Sequence, residues 1–213
     1  MGWKKRPTAQ LLLKGCMLSP ARILFMNRIH GWLCRSERWR KELEANLIPW
    51  VQDGVNLGSN VLEVGPGPGL TTDNLRARVT HLTALEIDSA LASSLAARLH
   101  SSNVAVIQGD ATALPFRDAQ FSGAACFTML HHVPSPVLQD RLLREVLRVL
   151  QPGGVLAGVD SLTSPYMRLV HIFDTLVPID PATFRARLQT AGFDEIMVEA
   201  NPRRFRFRAG KPT

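Results

Sequence analysis

Three glycines and two prolines occupy five consecutive positions in the sequence NVLEVGPGPGLTTDNL, residues 60–75. Glycine weakens regular structure by about 0.5–1 kcal/mol relative to alanine, so such a run is typical of a loop that a ligand approaches closely. The spacing of Gly65, Gly67 and Gly69 matches neither the G-x-G-x-x-G of dinucleotide sites nor the G-x-x-x-x-G-K-[ST] of phosphate loops. Glu63 beside the loop would repel a pyrophosphate, and a ligand with a positively charged end is therefore expected.

Two adjacent histidines, His131 and His132, are the candidates for acid–base chemistry. A histidine titrates near neutral pH and can accept a proton from an O–H or N–H group. The alternative is that these side chains cap a helix or line a pocket. The sequence has no G-x-S-x-G motif, and its three cysteines are widely spaced: Cys16, Cys34 and Cys126. We therefore predict neither a disulfide framework nor a metal site, and a reducing compartment fits this cysteine usage.

Alternating strands and helices must position these groups. Short apolar runs predict strands at 61–64, 82–87, 104–107, 121–127 and 154–159. Helical segments are predicted at about 70–78, 89–99 and 137–150. This alternation predicts an α/β fold with a parallel sheet covered on both faces, and the glycine loop then lies at the carboxyl end of the first strand, where such sheets bind ligands. The last two strands are joined by an Asn-Pro turn and must pair antiparallel.

The positive charge of the chain is concentrated at its N-terminus. Of the 25 basic residues, seven lie in residues 1–35, which contain no acidic residue, and the rest of the chain carries 18 basic and 18 acidic side chains. Basic residues interrupt each apolar run of this arm, so it falls short of the roughly 20 apolar residues that span a bilayer. We predict a basic, apolar helical extension or lid over residues 1–58 and a ligand-binding domain over 59–213. An amphipathic membrane anchor and a transit segment are the alternatives.

The sequence VLEVGPGPG resembles the first motif of the class I S-adenosylmethionine-dependent methyltransferases. Further segments resemble the same family in order: LTALEIDSALA, VIQGDATALPF, FSGAACFTMLHHVPSP, LLREVLRVLQPGGVLAGVD and LQTAGF. The resemblance covers about residues 60–210. It implies a Rossmann-like, doubly wound, mostly parallel sheet of seven strands in the order 3-2-1-4-5-7-6, with the last strand antiparallel.

The resemblance also implies a set of cofactor-binding residues. Glu86 matches the acid that binds the ribose hydroxyls of S-adenosylmethionine, since a carboxylate can accept two hydrogen bonds from a diol. Asp110 matches the acid that meets the adenine amino group. The other implied residues are Glu63, Gly65, Gly67, Gly69, Ile87, Ala111 and Thr128. The alternative role of Glu86 is that of an ordinary carboxylate at the start of a helix. The alternative role of Asp110 is to form a turn. Asp88 is predicted to be the N-cap of helix 89–99.

The resemblance implies methyl transfer to an oxygen, nitrogen or carbon atom of a small, lipophilic acceptor. In-line displacement at a sulfonium needs positioning rather than a nucleophilic side chain, and His131 and His132 follow the fourth strand, towards which the methyl group should point. The sequence FTMLHHVPSP departs from the Asn/Asp-Pro-Pro-aromatic pattern of nucleic-acid amine methyltransferases. RNA stays open because of the arm and of a basic final strand with Arg203, Arg204, Arg206 and Arg208. A protein acceptor and a non-enzymatic cofactor-binding protein are further alternatives. We expect a cytoplasmic protein. The alternative role of the arm is membrane contact through residues 1–35.

Overall fold

A seven-stranded sheet organises the part of the chain that the computed structural model describes, residues 27–213. The strands are β1 (Asn60–Val64), β2 (His81–Glu86), β3 (Val104–Gln108), β4 (Phe121–Phe127), β5 (Leu150–Ser161), β6 (Asp194–Ala200) and β7 (Arg204–Gly210). Their order is β3-β2-β1-β4-β5-β7-β6. The first five strands pair in parallel, and β7 runs antiparallel to both β5 and β6. The predicted strand order and the predicted antiparallel last strand are confirmed.

Eight α-helices accompany the strands within residues 27–213. They are α1 (Arg28–Leu33), α2 (Glu37–Glu42), α3 (Ile48–Gln52), α4 (Leu70–Leu75), α5 (Ser89–Leu99), α6 (Pro136–Val149), α7 (Pro165–Val170) and α8 (Pro181–Ala191). A π-helical turn joins α2 to α3, and a 3-10 helix, Leu130–His132, follows β4. The predicted bounds of α5 are confirmed, and so is its N-cap, since Asp88 Oδ1 accepts hydrogen bonds from the amides of Ala90 and Leu91. No helix in this part of the chain has the length and apolar character needed to cross a membrane.

Alternate residues of the strands face two helical layers. On one face, Leu62 and Leu85 pack in a buried cluster with residues of α6 and α8, including Leu142 and Phe184. On the other face, the neighbouring strand residues pack with α4, α3 and the π-helical turn, through Val61, Leu82, Leu75, Leu47 and Val51. Each fully buried side chain of this size stabilises the fold by about 1.5–3 kcal/mol. The prediction of a sheet covered on both faces is confirmed.

The helices over residues 37–52 are fixed to β7 by two arginine–tryptophan contacts. The guanidinium of Arg204 lies 5.3 Å from the ring of Trp39 and forms an ion pair with Glu42. The guanidinium of Arg206 lies 5.4 Å from the ring of Trp50. These contacts attach the second part of the predicted extension to the sheet. The division of the chain at residue 58 stays a prediction.

The apolar residues that favour a lid over residues 1–58 are Leu24, Phe25, Met26, Ile29, Trp32, Leu33, Trp39 and Trp50. Trp39 and Trp50 are partly buried against the core, whereas Trp32 on α1 is 69% exposed. Leu33 is also half-buried on α1. The remaining members that lie outside the described residues are Leu24, Phe25 and Met26. The lid stays a prediction because these residues lie outside the described part of the chain.

Strand β5 is longer than the predicted 154–159 because the Pro-Gly-Gly segment forms part of it. Phe121 of β4 pairs with Leu150, whereas Gly123 pairs with Val155, so the intervening residues form a bulge. Gly153 in this bulge has a φ of 73°, which favours glycine. The bulge lies at the amino end of β5 and leaves the carboxyl end in parallel register with β4.

Candidate functional site

The loop between β1 and α4 has the backbone shape that its glycines predict. Gly65, Gly67 and Gly69 have φ angles of 68°, 54° and 87°, in the left-handed region. At Gly69 a side chain would also place its Cβ 2.4 Å from Leu95 Cδ1, so the loop packs tightly against α5. The backbone is therefore held in one conformation at the carboxyl end of β1.

Glu86, buried at the end of β2, holds this loop in place. Its Oε2 accepts a hydrogen bond from the amide of Gly67 at 2.9 Å, and its Oε1 accepts one from the amide of Asp88 at 3.0 Å. Burial raises the pKa of Glu86, and the backbone hydrogen bonds oppose that shift. Each carboxylate oxygen has a second lone pair, so Glu86 keeps the capacity to accept hydrogen bonds from the two hydroxyls of a diol.

Glu63, buried at the end of β1, has an unsatisfied oxygen beside the same loop. The hydroxyl of Thr71 donates a hydrogen bond to its Oε1, and its Oε2 has no hydrogen-bond partner among the described residues. Burial raises the pKa of Glu63 to about 7, although the neighbouring hydroxyls of Thr71 and Thr72 lower it. Leaving a buried acceptor without a partner costs about 1–3 kcal/mol. A donor or a positive charge supplied by a ligand would remove that cost.

The other predicted cofactor residues follow the next strands. Ile87 is exposed after β2, and Asp110 and Ala111 follow β3. The Oδ1 of Asp110 accepts a hydrogen bond from the amide of Thr112 at 2.8 Å, which is the turn that the alternative interpretation predicted. Thr128 after β4 has a φ of 49°, a strained value for a β-branched residue of the kind that clusters at functional sites.

The strand order brings all of these residues to one edge of the sheet. Strands β3, β2, β1 and β4 are neighbours and run in parallel, so their carboxyl ends lie side by side. The structure therefore brings the predicted cofactor-binding residues together, and their ligand contacts stay predictions.

A group of four histidines and two aspartates, the histidine cluster, lies beyond β4 and β5. Its members are His30, His131, His132, His171, Asp160 and Asp174. Nδ1 of His131 lies 2.5 Å from Oδ1 of Asp160, the acid near the end of β5. Nε2 of His131 lies 3.2 Å from Nε2 of His171, the residue that follows α7. The predicted histidine His131 is thus buried between Asp160 and His171.

The second half of the histidine cluster surrounds Asp174. Nδ1 of His30 on α1 lies 2.7 Å from Oδ2 of Asp174, and Nδ1 of His132 lies 3.8 Å from Oδ1 of the same carboxylate. The rings of His30 and His132 are stacked with their centroids 5.1 Å apart. Burial lowers the pKa of His132 well below its usual value, and the neighbouring histidines lower it further. His132 is therefore held in its neutral form.

The glycine loop and the histidine cluster are adjacent. A Cβ placed on Gly65 would lie 3.0 Å from the side chain of Met129, which is two residues before His131. The sequence pattern indicated His131 and His132 but not Asp160, His171 and their partners. One signal could have revealed Asp160, because it ends an apolar strand as Glu63 and Glu86 do. His30 and Asp174 carry no such signal, since they lie far apart in the sequence.

Residues 62–158 match the family model described as a methyltransferase domain. The matched segment contains the glycine loop, Glu86, Asp110 and both predicted histidines. Residues 62–158 therefore form a domain of the class I S-adenosylmethionine-dependent methyltransferases. S-adenosylmethionine is accordingly its cofactor, as the resemblance implied.

Curated relatives of this methyltransferase carry the name ubiquinone biosynthesis O-methyltransferase. The relative from Pseudomonas fluorescens is 32% identical over 131 residues, which is 59% of this chain and 55% of the relative. The relative from Pseudomonas aeruginosa is 31% identical over 133 residues, with the same coverage of each chain. The chain thus spans about half the length of the curated relatives it matches.

Solved structures of other methyltransferases share the fold. A SAM-dependent methyltransferase from Aquifex aeolicus superposes with a TM-score of 0.64 at 20% identity, covering 80% of this chain and 92% of the other. The phosphoethanolamine N-methyltransferase 2 of Haemonchus contortus, solved with phosphomonomethylethanolamine and S-adenosylhomocysteine, superposes with a TM-score of 0.69 at 13% identity. That match covers 87% of this chain and 57% of the other. At these identities the likeness is one of fold.

The residues at the glycine loop of this methyltransferase fit S-adenosylmethionine. The unpartnered Oε2 of Glu63 suits a cofactor with positively charged groups, and the remaining acceptor capacity of Glu86 suits a ribose diol. The turn of positive-φ glycines lets a ligand approach the backbone without meeting side chains.

Proposed function

We propose that this methyltransferase methylates a hydroxyl group of a small, lipophilic acceptor. When bound, S-adenosylmethionine supplies the methyl group. The observation that carries the proposal is the contact of 2.5 Å between His131 and Asp160 at the carboxyl ends of β4 and β5, beside the cofactor loop. The names of the curated relatives favour oxygen as the methylated atom.

His131 can act as the proton acceptor because Asp160 fixes its tautomer. A carboxylate only accepts hydrogen bonds, so the proton of a neutral His131 lies on Nδ1 and the lone pair lies on Nε2. That lone pair can take the proton of an attacking hydroxyl. General-base catalysis of this kind contributes about 10²–10⁴-fold to a rate, while most of the acceleration comes from positioning of the two reactants.

The lipophilic character of the acceptor is supported by exposed apolar side chains on α7 and the turn after it. These side chains are Tyr166, Leu169, Ile172 and Phe173, and Phe173 is 88% exposed. Trp32 on α1 is also exposed, and α1 is joined to the same segment because the amide of the Asn27 side chain donates to the carbonyls of Val170 and Ile172. An exposed apolar patch next to a polar site is typical of a binding surface for apolar ligands.

The acceptor must displace part of this segment to reach His131. His131 is only 2% exposed, and its Nε2 faces His171. Phe173, two residues after His171, has a φ of 63°, which is strained for a residue other than glycine. We therefore expect residues 165–174 to move when the acceptor binds, and His171 to separate from His131.

RNA is the less favoured acceptor because the arginines of β7 have partners within the chain. Arg204 pairs with Glu42, Arg206 pairs with Glu199, and Arg208 donates to the carbonyl of Gly54. Arginines engaged in this way are poorly placed to neutralise phosphates. The basic residues before residue 27 lie outside the described part of the chain.

The test is incubation of the protein with methyl-labelled S-adenosylmethionine and a fractionated cell extract. We expect label in the organic-soluble fraction, and His131→Ala and Asp160→Asn to lower turnover by about 10²–10⁴-fold. His81→Ala is the matched control, since His81 is exposed at the start of β2, outside the histidine cluster. Label in RNA or protein would show that the proposal of a small-molecule acceptor is wrong. Cofactor binding in calorimetry without transfer to any fraction would favour a non-enzymatic role.

A further inference from the structure

We propose that His30, His132 and His171 bind a divalent transition-metal ion of the zinc type. The three residues come from separate elements, namely α1, the 3-10 helix after β4 and the turn after α7. One ring nitrogen of each histidine lies within 4.8 Å of those of the other two. This proposal does not depend on the acceptor proposed above, because metal binding is measured directly.

The spacing of the ring nitrogens is close to that of the ligands of one ion. Two imidazole nitrogens on a tetrahedral zinc ion lie about 3.3 Å apart, given Zn–N bonds of about 2.0–2.1 Å. Side-chain rotations that bring the nitrogens together by at most about 1.5 Å would convert the observed arrangement into a bound one.

The other ring nitrogens have the partners that metal-binding histidines use. In protein metal sites, the nitrogen that does not bind the ion donates to a carboxylate or a backbone carbonyl. Nδ1 of His30 contacts Asp174 at 2.7 Å, and Nδ1 of His171 contacts the carbonyl of Met167 at 2.7 Å. His132 has a hydrogen bond with the backbone of Thr175, and its Nδ1 lies 3.8 Å from the second oxygen of Asp174, beyond hydrogen-bond distance. In neutral rings with these partners, the Nε2 atoms of His30 and His171 carry the free lone pairs.

The contact between His171 and His131 requires a proton or a cation between the two ring nitrogens. Both Nδ1 atoms face groups that only accept hydrogen bonds, Asp160 for His131 and the Met167 carbonyl for His171. In neutral rings the two Nε2 lone pairs would then face each other at 3.2 Å, which is repulsive unless a proton or a metal ion separates them. An ion bound by His171 would take up its lone pair and release Nε2 of His131.

The charge and ligand types favour zinc or a neighbouring first-row ion. Three imidazoles with a nearby carboxylate are typical of zinc sites that keep a fourth position open for water or a ligand.

The first experiment is competition for Zn²⁺ between the metal-stripped full chain, with any histidine tag removed, and a chromophoric chelator. We expect one ion per chain. His30→Ala and His171→Ala should each weaken zinc binding at least about 100-fold, and Asp174→Asn about 10–100-fold through the lost orientation of His30. His81→Ala and His100→Ala are the matched controls, because both histidines are exposed outside the histidine cluster, and they should bind zinc as the unaltered chain does.

Cobalt provides a readout that does not depend on affinity alone. Co²⁺ in a tetrahedral nitrogen site absorbs strongly in the visible range, and this absorption should appear with the unaltered chain and with His81→Ala but be absent from His171→Ala. Circular dichroism establishes that each variant is folded. The proposal is overturned if the His30 and His171 variants bind zinc as tightly as the control variants, which is the result expected of a cluster held by hydrogen bonds and a shared proton.

A second measurement locates the ion in the structure. Because His30 lies on α1, bound zinc should slow amide hydrogen exchange in that helix, including the amide of Cys34 that bonds to the His30 carbonyl. The slowing should be lost in His30→Ala. Zinc binding without any change in the exchange of α1 would place the ion elsewhere and refute the assigned ligands, whether or not methyl transfer is detected.

Discussion

Two buried carboxylates at neighbouring strand ends differ in the partners they have. Both oxygens of Glu86 accept backbone hydrogen bonds, whereas one oxygen of Glu63 has no partner among the described residues. Glu86 is therefore already positioned for a ligand, and Glu63 is the group whose environment a ligand would improve. This difference leads to separate predictions for the two side chains.

Replacement of Glu86 should weaken cofactor binding. In Glu86→Ala the amides of Gly67 and Asp88 lose their acceptor, and we expect S-adenosylmethionine affinity to fall by about 1–3 kcal/mol in calorimetry. Asp110→Ala is predicted to have an effect of the same size. Glu37→Ala, at an exposed carboxylate on α2, serves as the control. Unchanged affinity in both site variants would show that the assignment of cofactor residues is wrong.

Replacement of Glu63 should change how stability depends on pH. Its pKa is about 7 in the folded chain and about 4.5 in the unfolded chain. Between these values the folded state holds a proton that the unfolded state has lost, so the free energy of unfolding decreases as pH rises from about 4.5 to 7. Glu63→Gln removes this dependence and should stabilise the cofactor-free protein by about 2–3 kcal/mol at pH 8.

Urea unfolding at pH 4 and pH 8 measures this effect. The Glu63→Gln gain should be absent at pH 4, where the glutamate is protonated in both states. The same substitution should weaken S-adenosylmethionine binding, because the carboxylate no longer offers a negative charge to the ligand. A constant difference in stability between the two proteins at both pH values would contradict the raised pKa.

At the scale of elements, regular periodic segments were predictable and short irregular ones were not. Helix α5 follows from its Asp88 cap and its apolar spacing, and the strands follow from apolar runs flanked by turn residues. Helix α7 has only six residues, too few for a periodic pattern, and the 3-10 helix is shorter still. These two elements carry or flank His131, His132 and His171. The elements nearest the proposed chemistry were therefore the least predictable from the sequence.

The segment around α7 should control recognition of the acceptor rather than of the cofactor. Leu169→Ser and Phe173→Ser replace exposed apolar side chains, so stability should change by no more than about 0.5 kcal/mol. With a lipophilic acceptor we expect KM to rise about tenfold or more for the double variant, at unchanged cofactor affinity. Steady-state kinetics test this, and an unchanged KM would remove the apolar patch from the acceptor site.

At the scale of the whole molecule, the residues before β1 serve the fold in two ways. Those from 37 to 52 complete one face of the core, whereas α1 contacts the histidine cluster through His30. Contacts between distant parts of a sequence leave no local signal, which is why the sequence predicted a lid in general but not His30 in particular. The first 26 residues lie outside the described part of the chain, and truncation can test their predicted role.

Two truncations separate the roles of the arm. Deleting residues 1–35 removes α1, and for a lid it should lower turnover of a water-soluble acceptor while cofactor affinity is retained. Deleting residues 1–26 retains His30 and should lower turnover less. If the arm is instead a membrane anchor, both deletions should abolish sedimentation with anionic vesicles and leave turnover in solution unchanged. Normal turnover after removal of residues 1–35 would exclude the lid.

The arginine–tryptophan contacts on β7 have an optical consequence. The four tryptophans of the chain, Trp3, Trp32, Trp39 and Trp50, all precede the first strand. Trp39 and Trp50 lie against cations, and Trp32 faces solvent on α1. Tryptophan emission from this protein therefore originates entirely outside the cofactor-binding sheet. Any spectral change on ligand addition therefore reports an event at the residues that precede β1 or at the groups they contact, without an attached dye.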